Sequence, residues 1–434
     1  MKIGNGSGNA DGFVWNAAAG LVNAAEAVVL LMVVGRTNGL SDAGILTLAF
    51  AAGNLLSAVG RYGVRNYQVT DLGGRFCFTA YYSHRILSSA LMGICTVVYT
   101  AACFLGKGYS LYKTAAVFLV CMIYLVESME DVCWGLYQRN GRLDLGAKIF
   151  IARWMLHLFL TSAALAATKN LVFSLFVGLA GGAVYSYCVN KRYVPVFAGR
   201  PDFRPSLAIP VFRTCFPLFL SAFLTTYVAN APKYAIDRYL PESVQACYGY
   251  VAMPVFVVSL FNSFFYQPVL LKLTEDWKQG RIERFCRRMF VQLLLIVLLT
   301  AVCLAGGAVL GVPVLSFLYH TDLSSYRTEL LILLCGGGFL AAAGFLGVIL
   351  TIMRMQRKIM YGYAGTAAAA CLASGYAVRE YGVRGAACLY AVCMACLACY
   401  FALCVKRCYI LAAGTPDEGR RSGLRFRLQN GKNP

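Results

Sequence analysis

The chain has 434 residues, 59% of them hydrophobic, with a mean hydropathy of +0.64 and a formal net charge of +20. That apolar content excludes an ordinary soluble domain and a disordered chain, neither of which can hide so much apolar surface. In an apolar chain the positive excess points to membrane topology and anionic lipid rather than to nucleic acid.

Six continuously apolar segments of near-bilayer length come first, at 13–34, 43–60, 86–105, 114–134, 149–167 and 171–189. Six more follow at 211–229, 244–265, 289–310, 330–353, 359–377 and 385–405. A helix needs ~20 apolar residues to cross ~30 Å of hydrocarbon, whereas barrel strands run ~10 residues and alternate apolar with polar. The pattern therefore predicts an all-α membrane protein with twelve transmembrane helices. Lys and Arg gather in every second connection, so with the N-terminus inside all but nine of the 39 basic residues are cytosolic. This bias places both termini in the cytosol and the chain in the cell membrane as a multi-pass protein. No cleavable signal peptide is expected, since MKIGNGSGNADG runs straight into a full-length span.

Two equal sets of six, both starting inside, predict two six-helix lobes related by a pseudo-two-fold axis along the membrane normal. The lobes are residues 1–192 and 211–408, joined by a cytosolic linker at 193–210 and followed by a basic cytosolic tail at 409–434. A faint internal repeat agrees. Arg36 with Asp42 and Arg238 with Glu242 follow the opening spans of the two sets, and Tyr67–Gln68–Val69 is echoed by Tyr266–Gln267–Pro268–Val269.

Function is sought where polar residues break the apolar pattern. In the first span Asn16, Asn23 and Glu26 project within about 80° of one another. A carboxylate there costs a few kcal/mol unless it faces protein or water, so Glu26 lines a cavity or bonds to a neighbouring helix. Near the ends of the fourth and fifth spans, Glu127, Glu130 and Asp131 face Arg153 and His157. Three acids so close need a cation, and Arg153 is the evident one, either in a structural or gating network or in direct handling of substrate or protons. In the seventh span Thr226, Asn230, Lys233 and Asp237 stack on one face, beside Pro232. Lys233 and Asp237 are placed to pair as i,i+4 neighbours. Either they form a salt bridge at the outer end, or Lys233 is presented to an anion in a central cavity with Asp237 tuning it. Pro217, Pro254 and Pro268 are expected to interrupt second-half spans where helices bend.

Most of the 18 cysteines lie inside spans, as expected of thiols packed between helices. His84, His157 and His320 each stand alone, and no zinc-protease, Walker or acyltransferase motif is present. The connections are too short to fold as catalytic domains. No catalytic residue, metal site or cofactor is expected, and the chain does not read as an enzyme.

The strings RYGVRNYQVTDLGG (residues 61–74), DVCWGLYQRNGRLDLGAKIFIAR (131–153) and NAPKYAIDRYL (230–240) resemble polysaccharide flippases of the MATE-like MOP exporter superfamily. The resemblance spans essentially the whole chain. It implies inner-to-outer translocation of an undecaprenyl-diphosphate-linked oligosaccharide by alternating access, for surface polysaccharide biosynthesis. Arg61 and Arg65 would then capture the diphosphate at the inner mouth. Lys233, with Asn230 and with Arg36 or Arg238 nearer the outer mouth, would receive it. Glu26 and Asp237 would be counter-charges or coupling groups, and Glu127, Glu130, Asp131 and Arg153 a gating network. The implied partners are the lipid-linked oligosaccharide, membrane lipid and a polysaccharide polymerase or glycosyltransferases, with no nucleic acid. Alternatives are a multidrug or metabolite antiporter of the same fold, a flippase for lipid-linked peptidoglycan precursors and a membrane-embedded glycan-modifying enzyme.

Overall fold

The computed structural model describes residues 7–71 and 74–413, and among them every regular element is a helix. The first seven are α1 (Ser7–Asn38), α2 (Leu40–Arg61), α3 (Val64–Thr70), α4 (Phe78–Lys107), α5 (Leu111–Arg139), α6 (Leu143–Thr168) and α7 (Leu171–Ala198). Then follow α8 (Pro205–Tyr239), α9 (Glu242–Lys278), α10 (Ile282–Gly306), α11 (Val312–Tyr319), α12 (Arg327–Ile352) and α13 (Gln356–Ala413). Most of the tail expected at 409–434 lies outside the described residues.

By length and composition, nine helices among the described residues can cross a membrane. The long helices α5 and α9 join them, the former carrying the acid cluster in its second half. The 58-residue α13 is two helices, because Gly382 breaks it with φ +57° and ψ −137°. Tyr363 packs edge-on against Phe401 at 5.7 Å, so the two arms run antiparallel about that glycine.

The chain runs up and down between two ends. One, here the basic end, holds the contacts of Arg61 with Glu127, Ser83 with Arg204 and Tyr137 with Asn190. The far end holds those of Arg36 with Leu318, Asn38 with Lys169 and Lys113 with Glu242. Most of α2 is buried, and it packs on α1, α4, α5, α8 and α9. Small residues allow this: a Cβ on Gly44 would lie 1.9 Å from the Glu242 carbonyl oxygen, so the backbones of α2 and α9 nearly touch. In contrast, α10 and α11 expose Phe290, Val297 and Phe317, as lipid-facing helices do.

Three expectations change in the structure. The prolines do not interrupt their spans. Pro210, Pro217 and Pro232 lie inside continuous α8, and α9 runs on through Pro254 and Pro268, because leaving the helix in hydrocarbon would orphan further backbone groups. The linker expected at 193–210 is helical at both ends, leaving only 199–204 between α7 and α8. The outer connection expected after residue 310 is largely helix too, since a π-helical turn at Gly307–Gly311 carries α10 into the apolar α11.

Candidate functional site

A cavity of about 730 Å³ lies between α1, α2, α5, α8, α9, α12 and the second arm of α13. The α1 wall includes the small residues Ala24, Ala25 and Ala27, and the α9 wall includes Gly249 and Ala252, which leaves the space. Its polar lining is Asn23, Glu26, Asn54, Arg61, Asn230 and Lys233. The sequence thus places Glu26, Asn230 and Lys233 on one cavity from two distant helices. Lys233 makes no hydrogen bond or ion pair among the described residues. Glu26 is 3% exposed, and its Oε1 has no hydrogen-bond partner.

Toward the basic end a second cavity, of about 250 Å³, adjoins the first and shares Asn23 and Arg61 with it. Asn16 lines it, so the Asn16–Asn23–Glu26 stripe runs from one cavity to the other. Its floor is an ion-pair network. Arg61 Nη2 lies 2.6 Å from Glu127 Oε1, and Arg153 Nε lies 2.6 Å from Glu130 Oε2 and, through Nη2, 3.8 Å from Glu127. Asp131 lies 2.8 Å from Arg85 Nη2 and 3.7 Å from Arg65 Nη1. Arg65 also donates to Gln138 Oε1 at 3.0 Å and stacks on Trp134 at 3.9 Å.

Arg153 pairs with two of the three acids, as expected, but three further arginines share the network. Arg61 and Arg65, expected to capture the diphosphate at the inner mouth, hold carboxylates here. Arg85, fully buried and donating also to the Gly60 carbonyl at 2.6 Å, is a member the sequence reading missed. Its signal was available, because three neighbouring acids cannot be neutralised by one cation. His157 stands apart from the ion pairs, edge-on to Trp154 at 5.2 Å. On the first cavity itself Glu26 and Arg61 balance formally, which leaves Lys233 as its excess cation.

At the far end, Asp237 does not pair with Lys233 and does not line the central cavity. Its side chain is 1% exposed, pairs with Lys113 Nζ at 2.9 Å, and accepts from Lys107 Nζ at 3.3 Å and from the Tyr109 hydroxyl. Lys113 also reaches Glu242 at 3.0 Å. Lys107 ends α4 and Lys113 opens α5, so the turn between them, closed by Gly108 at φ +68° and capped by Ser110, delivers both cations to α8. Nothing local in the α8 stripe announces these partners. Arg36 likewise leaves the cavity and donates to the Leu318 carbonyl at 2.7 Å, clasping α1 to α11. Arg238 lines a third cavity on the outside of α8. The far end is therefore tied across the bundle, while the central cavity continues toward the basic end.

No protein-family model matches the chain, and no curated protein matches it in sequence. Solved structures do match in fold. An inward-facing multidrug resistance MATE family transporter of the MOP superfamily superposes with TM-score 0.71 at 13% identity, covering 92% of this chain and 96% of its own. The lipid II flippase MurJ in an inward closed conformation gives 0.69 at 12%, covering 91% and 87%. The eukaryotic MATE transporter AtDTX14 gives 0.57 at 11%, covering 92% and 96%. The chain has the MATE-like fold of the MOP superfamily, that of a multi-pass membrane protein, and these structural neighbours are transporters and flippases rather than enzymes.

Proposed function

We propose that the chain moves an undecaprenyl-diphosphate-linked oligosaccharide from the inner to the outer leaflet by alternating access. The observation that carries this reading is Lys233, an unpaired cation on a cavity of about 730 Å³ whose other ionic groups balance. A diphosphate in a low-dielectric cavity needs such a charge, and Asn23, Asn54 and Asn230 offer amides to sugar hydroxyls. The basic end faces the cytosol by the positive-inside rule, so the state described takes up cargo from the inner leaflet. Arg61 and Arg65 act there by exchanging carboxylate for phosphate rather than as free cations. Arg36 and Asp237 hold the outer end shut. Moving about two phosphate charges outward against a negative interior gains ~4 to 5 kcal/mol per 100 mV, so no nucleotide is required.

Glu26 favours one competing reading. A buried carboxylate with an unpartnered oxygen suits an organic-cation or drug antiporter of the same fold. Equilibrium binding separates the two: undecaprenyl diphosphate should bind the purified protein and lose affinity in Lys233→Ala. If an organic cation binds instead, and Glu26→Gln abolishes it while Lys233→Ala does not, the flippase reading fails.

A further inference from the structure

A third cavity, of about 720 Å³, opens beside the far-end ion pairs, between the ends of α4 and α8 and the first arm of α13. It does not share a lining residue with the central cavity. Three cations line it, Lys107, Arg238 and Arg379, against one carboxylate, Glu380. Neither Arg238 nor Arg379 makes an ion pair among the described residues, and with Lys107 they outnumber the one carboxylate in the concavity. Its inner wall is aromatic. Tyr227 and Tyr234 stack with centroids 6.2 Å apart, and the Tyr234 hydroxyl is fixed by donating to the Ala51 carbonyl at 2.8 Å. On its open side α13 presents Leu372, 85% exposed, and Tyr376, 68% exposed, which is a lipid-facing surface.

Cations at the end of a membrane helix, an aromatic wall and an apolar lip match a molecule with a phosphate at the interface and chains in the bilayer. We propose that this cavity binds the phosphate headgroup of a membrane lipid, held by Arg238 and Arg379 with Lys107. Lys107 belongs at once to the cavity and to the far-end ion pairs, 3.3 Å from Asp237. A phosphate drawing Lys107 toward the cavity weakens one of the cations closing the far end. Lipid binding and far-end opening are therefore linked. The inference rests on this geometry and not on the identity of the transported cargo.

Native mass spectrometry of the purified full chain tests it, titrating phosphatidylglycerol and undecaprenyl diphosphate separately. Arg238→Gln with Arg379→Gln should lower the affinity for lipid phosphate about tenfold or more, at roughly 1 kcal/mol per basic residue near the surface. Both side chains are exposed and without ion-pair partners, so the fold should survive. A control at the basic end, Arg192→Gln with Arg200→Gln, should change little. Loss for phosphatidylglycerol identifies a resident phospholipid as occupant, and loss for undecaprenyl diphosphate alone identifies a polyprenyl carrier. Unchanged binding of both lipids by the Arg238/Arg379 variant, or an equal loss in the control, overturns the proposal.

Discussion

Arg153 and Glu130 offer a sharp test of the basic-end network, because their partners are unequal. Their side chains are 2% and 5% exposed, and the pair lies at 2.6 Å. Among the described residues Glu130 has no other ion-pair partner, whereas Arg153 retains Glu127 at 3.8 Å. Arg153→Met should therefore leave Glu130 buried and uncompensated, at about 3–5 kcal/mol. Glu130→Gln leaves an arginine that still faces Glu127, and its loss should fall to about 1–3 kcal/mol. In Arg153→Met with Glu130→Leu the stranded charge is gone, so the double variant should be more stable than Arg153→Met alone. Thermal unfolding of detergent-purified variants, read by retention of the monodisperse species, measures the order. A double variant no better than Arg153→Met, or an Arg153→Met within about 0.5 kcal/mol of the parent, would refute the reasoning.

Other perturbations probe different parts of the account. Gly44→Ala drives a methyl into the Glu242 carbonyl, and overpacking should cost about 1–3 kcal/mol. By contrast Gly344→Ala, where an added Cβ meets nothing within 4 Å, should stabilise α12 by about 0.5–1 kcal/mol; equal thermal shifts would dismiss the α2–α9 contact. Lys113→Met removes the cation shared by Asp237 and Glu242, and maleimide labelling of buried Cys247 should rise as the far end loosens. Unchanged labelling would show that the ion pairs do not hold that end. In the loop before α4, Asp71 accepts from the N–H groups of Arg75 and Phe76 and from the Tyr81 hydroxyl at 2.8 Å. Burial pushes its carboxyl up, but these hydrogen bonds outweigh burial and hold it below the ordinary carboxylate range. Its stabilisation is accordingly complete above that range and is lost as pH falls through the depressed value. Amide exchange at Arg75 and Phe76 should accelerate only in that acidic window, and Asp71→Asn should abolish the pH dependence.

Much of the fold was legible because lipid imposes a simple rule, that apolar runs of a set length must be helices. The Asn16–Asn23–Glu26 stripe and the Asn230–Lys233 face were legible for the same reason, since helical spacing puts them on one side and burial cost turns them inward. What sequence could not supply was pairing between helices. Asp237 looked like the neighbour of Lys233 because they are four residues apart, yet two lysines on α4 and α5 take it in three dimensions. Arg85 looked like one more basic residue in a cytosolic loop and is instead a buried member of the acid network. Prolines were read as interruptions because that is their effect in water. In hydrocarbon the helix runs through them.

The central claim is that Lys233 receives a lipid-linked diphosphate in the cavity between the two halves. The direct measurement is leaflet transfer of a fluorescent undecaprenyl-diphosphate oligosaccharide by the purified protein in vesicles carrying an inside-negative potential. The account predicts transfer by the parent chain and its loss in Lys233→Ala, with insertion and thermal stability unchanged. Transfer by Lys233→Ala at the parent rate would contradict it.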